Sequence, residues 1–175
     1  MDIKIRHLEK ADAPALQAIY RHTSVTENTS QLPYLNTGII DGLFERPNCY
    51  NLVAEITDIN AVATELKPKV LGHVSVMTSN KPRMKLSAVL MIAVHPEAHG
   101  KGIGKAMLIE MLNQADNWLN LVRVELEVHK DNETAIALYQ KLGFEIEGEK
   151  RFSIFKEGKL SSLLMMARIR PGFVA

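Results

Sequence analysis

Apolar and polar residues alternate over "IKIRHL", residues 3–8, as in a strand with one face buried. The period then lengthens. Over "EKADAPALQAIYRH", residues 9–22, Ala15, Leu16 and Ile19 fall on one helical face, and Asp12 stands before Pro14 as the expected N-cap. Residues 22–34, "HTSVTENTSQLPY", are polar and interrupted by Pro33, which predicts a loop. A short helix is expected from Asn36 to Glu45, stopping before Pro47.

The middle of the chain is rich in strand formers. "YNLVAEI" and "VLGHVSVMT" read as two strands, and the aperiodic "TDINAVATELKPK" between them reads as a surface excursion. "KLSAVLMIAV" is almost continuously apolar, the pattern of a central strand covered on both faces. A helix is expected from about Gly102 to Trp118, with Ala106, Leu108, Ile109, Leu112 and Ala115 supplying its apolar contacts. "RVELEV" predicts a strand, and "ETAIALYQKL" a helix that Gly143 stops. "FEIEGEKRF" and "LSSLLMMARI" close the chain as strands. This order predicts an α/β protein with a mixed sheet and helices on both faces.

Composition narrows the picture. The 175 residues suit a single domain spanning 1–175, and 46% hydrophobic with 23% charged residues is ordinary for a soluble protein. A net charge of +1 gives no electrostatic case for nucleic acid. The lone Cys49 has no intramolecular partner for a disulfide, and the charged "MDIKIRHLEK" is unlike a signal peptide. No apolar run approaches the ~20 residues of a membrane span. A cytoplasmic protein is expected, with no membrane partner and a homodimer left open.

The densest chemical signal is "HGKGIGKAML", residues 99–108. Gly100, Gly102 and Gly104 alternate between a central strand and a helix, where the first N–H groups of the helix lack partners. Without side chains in the way these groups can close on an anion, and the helix dipole adds about half a positive charge. Lys101 and Lys105 bracket the segment, so a pyrophosphate site is expected. A P-loop would need glycine where His99 stands and a hydroxyl where Ala106 stands; a dinucleotide fingerprint would need glycine at Lys105 or Met107. Neither fits.

The segment His99-Gly100-Lys101-Gly102-Ile103-Gly104 resembles the acetyl-CoA signature of the GCN5-related N-acetyltransferases, with His99 where Gln or Arg is usual. Further on, "DNETAIALYQKLGF" matches the same family at Asn132, Ala135, Tyr139, Gly143 and Phe144. The stretch from Asp116 to Leu160 looks closest to the bacterial branch that acts on free L-amino acids. The resemblance implies the family's fold, a mostly antiparallel mixed sheet of about seven strands flanked by about four helices. It also implies acetyl-CoA as cofactor, CoA as product, no metal and a primary amine as acceptor.

It implies roles as well. The backbone at Ile92, Ala93 and Val94 would pair with the pantetheine arm, and His99, Gly100, Lys101, Gly102, Ile103, Gly104 and Lys105 would surround the pyrophosphate. Asn132 would cap its helix and face the arm, Ala135 would leave the arm room, and Tyr139 would act on the departing thiolate. The general base is open among Glu127, His129, His73 and water. Arg21, Arg46 and Arg83 are candidate partners for a substrate carboxylate. Acetylation of protein N-termini and non-catalytic CoA sensing are the competing functions.

Overall fold

In a computed structural model, which describes residues 2–32, 34, 37–57 and 68–174, seven strands form one sheet in the order β1-β2-β3-β4-β5-β7-β6. The strands are β1 Asp2–His7, β2 Cys49–Thr57, β3 Lys69–Thr78, β4 Ser87–Val94, β5 Arg123–His129, β6 Glu145–Lys156 and β7 Lys159–Ile169. The helices are α1 Ala13–Arg21, α2 Thr23–Thr26, α3 Thr37–Glu45, α4 Ile103–Asn117 and α5 Glu133–Lys141. Every neighbouring pair is antiparallel except β4 and β5, which the α4 crossover joins in parallel. The surface excursion expected over 57–69 falls almost wholly outside the described residues.

Alternation along the strands divides the core. On one face Val74, Val76, Leu90, Val124 and Leu126 meet Met107, Leu108, Met111 and Leu112 of α4, with Tyr139 and Phe144 continuing the layer. On the other, Leu16 and Ile40 pack on Val53, and Ile19 and Val25 pack on Ala93.

Several expectations change. The polar stretch 22–34 is not all loop: His22 accepts the Ser24 N–H and starts the short α2, one of five α-helices among the described residues, in keeping with the about four expected. In α4 Met107 and Met111 are fully buried while Ile109 points to solvent. Methionine's long side chain reaches the sheet from positions four apart, and Ile109 lies off that stripe. Asp12 does not cap α1. Its carboxylate accepts the Glu9 N–H at 2.9 Å and both terminal nitrogens of Arg6 at 2.8 Å, tying the turn before α1 to β1.

The correction that matters for function is in β4. Ala88 and Leu90 are buried, but Val89 is 38% and Met91 39% exposed. The apolar run is therefore open on one face. That face lines a cleft.

Candidate active site

β4 and β5 are in register only at Ser87–Arg123, Ala88–Val124 and Val89–Glu125. Beyond Val89, β4 pairs with β3 alone, so the edge of Leu90–Val94 toward β5 presents backbone N–H and C=O groups without a strand partner. A cleft of about 1410 Å³ opens at the parting. That exceeds the roughly 300–1,000 Å³ of a site for one drug-sized ligand.

The glycine segment forms one end. Gly100 at φ +71° and Gly102 at φ +78° adopt the left-handed conformation that side chains rarely tolerate, and a Cβ at either would meet nothing within 4 Å. The bend delivers the chain into α4 with Gly102 as N-cap and no side-chain cap. The N–H groups of Ile103, Gly104 and Lys105 therefore open toward the cleft without intrahelical partners. His99 takes a different position from the expected one. Its Nε2 donates to the Val94 carbonyl at 3.0 Å, so Nδ1 is the ring nitrogen left for a further partner.

α5 borders the same cleft, with Leu138 beside Gly104. Asn132 Oδ1 accepts the Ala135 N–H at 3.1 Å, the cap expected from the sequence, and Asn132 Nδ2 donates to Asn28 Oδ1 at 3.3 Å. Tyr139 is 8% exposed, lines the cleft and packs its ring against Phe144 with centroids 5.8 Å apart. Burial pushes its phenol up to about 12, which keeps the proton on oxygen at neutral pH. Every residue expected to hold a cofactor lines this cleft except Lys101, which is exposed. Those residues fit an extended thioester cofactor: an anion cradle, an unpaired strand edge for amides, and a slim helix face at Ala135.

The three candidate bases separate. His73 is fully buried and does not line the cleft. Its Nδ1 lies 2.6 Å from the Tyr20 hydroxyl and its Nε2 3.2 Å from Asn51 Oδ1, and burial pushes the ring down to about 4. It is a neutral structural residue behind Tyr20. Glu127 lines the cleft but is paired with Lys150. His129 lines the cleft too, yet is only 3% exposed, and neither ring nitrogen has a hydrogen bond among the described residues.

The charges along β5 and β6 are also paired. Arg123 binds Glu125 at 3.0 Å and Glu147 at 2.5 Å, and Lys150 neutralises Glu127. Of the three arginines considered as carboxylate partners, only Arg46 lines the cleft. It contacts the Met77 sulfur at 4.0 Å and has no carboxylate partner among the described residues. Sequence reading missed Tyr20, the Asn28 contact to Asn132 and the Arg123–Glu147 pair. Each joins segments far apart in the chain and carries no local signal.

The chain belongs to the acetyltransferase (GNAT) family, whose pattern matches residues 13–144 and takes in both the glycine turn and the tyrosine helix. It is an N-acetyltransferase by that membership. Among its relatives, the L-amino acid N-acetyltransferase AaaT of Escherichia coli (strain K12) is 33% identical over 97% of this chain and 99% of its own. The spermidine N(1)-acetyltransferase of the same organism is 25% identical over 99% of this chain and 89% of its own. Among solved structures, yncA of Salmonella typhimurium, determined with acetyl-CoA, superposes with a TM-score of 0.80 over 100% of this chain and 98% of that one, at 20% identity.

Proposed function

We propose that the protein transfers the acetyl group of acetyl-CoA to the α-amine of a free L-amino acid, by direct attack with both substrates bound. The observation that carries this reading is the parting of β4 and β5 between an open glycine turn and the buried Tyr139. When bound, the cofactor supplies a thioester, an activated acyl carbon with a thiolate as leaving group.

The chain's own residues divide the work. The N–H groups of residues 102–105 and the Lys105 ammonium hold the pyrophosphate. The free edge of Ile92–Val94 pairs with the amides of the arm as an added strand would, and a backbone N–H there polarises the thioester carbonyl. Asn132 and Ala135 shape the opposite wall. Tyr139, protonated at neutral pH, donates to the sulfur as it leaves. Holding amine and thioester side by side removes most of the entropic cost of their meeting.

The charges in the cleft favour an amino acid as acceptor. A polyamine needs uncompensated carboxylates, and Glu125, Glu127 and Glu147 are each held in an ion pair with Arg123 or Lys150, which leaves one net negative charge among the five groups. An amino acid needs a cation for its carboxylate, and Arg46 lines the cleft without an acidic partner among the described residues. The relative acting on L-amino acids supports the same choice. The test is thiol release from acetyl-CoA across L-amino acids, spermidine and peptides with free N-termini. Fastest release with an amino acid is expected. Release confined to spermidine or to peptides would overturn the acceptor assignment.

A further inference from the structure

We propose that His129 is the proton acceptor for the attacking amine, a role that rests on the acetyl-transfer reading of the cleft. The residue ends β5 on the strand's far side of the parting, three positions before Asn132. By strand alternation it follows Glu125 and Glu127 on the face that lines the cleft.

Its environment is unusual for a packing histidine. Buried imidazoles nearly always bond at least one nitrogen, because an unpaired one costs stability. His73 shows the ordinary solution in this chain, with a partner on each nitrogen. His129 has no well-formed hydrogen bond on either nitrogen among the described residues, with the Thr29 backbone its nearest polar influence, although the ring is almost wholly buried. Even with the Thr29 backbone beside one nitrogen, the other is left open to a ligand inside the cleft.

The groups around it keep it neutral. Burial and the Lys156 ammonium of β6 disfavour the imidazolium, and Asp131 beside it and the Thr29 carbonyl after α2 oppose them only in part. Of the carboxylates on this face of β5, Glu127 is held by Lys150 and Glu125 by Arg123. A neutral imidazole has one lone-pair nitrogen ready to take a proton.

The step balances. The amine attacks as R–NH2, its nitrogen forms a bond to the acyl carbon, and one surplus N–H proton passes to His129. The carbon–sulfur bond breaks, its electron pair stays on sulfur, and Tyr139 donates the proton that completes the thiol. Proton return from imidazolium to tyrosinate through solvent in the cleft resets both residues.

The experiment combines a pH profile with a direct titration. In the wild type, kcat should fall at acid pH with one midpoint below the ordinary histidine value of about 6.5. The His129 imidazole, followed by NMR in the same protein, should titrate at that midpoint. His129→Gln should lower kcat by about 10²-fold or more, lose the acid limb and keep its acetyl-CoA affinity by calorimetry. A variant that keeps both rate and limb overturns the proposal. So does a wild-type imidazole whose titration does not coincide with the limb, a result that needs no variant to fold. Wild-type protein that releases no thiol with any amine overturns the acetyl-transfer reading itself.

Discussion

Replacing Tyr139 by Phe removes one oxygen from the reaction and almost nothing from the fold. The ring is buried and packs on Phe144, and both contacts survive in phenylalanine. The hydroxyl has no hydrogen bond among the described residues, so no buried partner is orphaned and stability should change by less than about 0.5 kcal/mol. Catalysis should respond very differently. Loss of a general acid typically costs about 10²-fold or more in kcat, which is about 2.7 kcal/mol of transition-state stabilisation at 1.36 kcal/mol per tenfold.

The pH dependence has a definite sign. Burial raises the folded pKa to about 12, above the ordinary value near 10. The folded state therefore keeps the proton longer than the unfolded one, and the stability linked to it is lost as pH rises above about 10. Activity should accordingly show no alkaline loss from Tyr139 below that pH. Steady-state thiol release under conditions where chemistry limits the rate, with calorimetric titration of acetyl-CoA into both proteins, makes the test. A Phe variant with full kcat would refute the assignment of the proton donor.

Gly102→Glu should abolish acetyl-CoA binding in calorimetry. It places a side chain at φ +78°, at a strain of about 1–2 kcal/mol, and a negative charge where the pyrophosphate belongs; unchanged affinity in a folded variant would refute the cradle. Arg46→Ala should raise KM for the amino acid about 10- to 100-fold, the weight of a charged hydrogen bond of 1.5–3 kcal/mol, leaving acetyl-CoA affinity intact; an unchanged KM would refute the carboxylate contact. The Arg6 guanidinium, bonded to Asp12, holds that carboxyl below its ordinary pKa. This contribution to stability is full above the unfolded value near 3.8 and is lost as pH falls through the folded one. Chemical denaturation of Asp12→Asn should therefore show lower stability at pH 7 and a flatter acid profile, and an unchanged profile would refute the linkage.

The order of strands and helices was legible because it rests on period and on turn residues, which are local. β5, α5 and β7 lie within a residue or two of their expected bounds for that reason. Asn132 capping α5 was equally readable, since cap and acceptor are three residues apart. What escaped is non-local. "KLSAVLMIAV" is as apolar as a doubly covered strand, but hydrophobicity does not say whether a neighbour or a ligand covers Val89 and Met91. Nothing in the sequence shows that the His99 ring turns back five residues to the Val94 carbonyl. Choosing among His73, Glu127 and His129 required knowing their partners, and those lie on α1, β2 and β6.

The central claim is met most directly by competition in a single vessel. Acetyl-CoA is supplied with equimolar L-amino acids, spermidine and an N-terminal peptide, and the products are read by mass spectrometry at low conversion. Growth of an N-acetyl-L-amino acid ahead of every other product is the predicted result. Acetylated spermidine or peptide accumulating first, with free amino acids untouched, would contradict it.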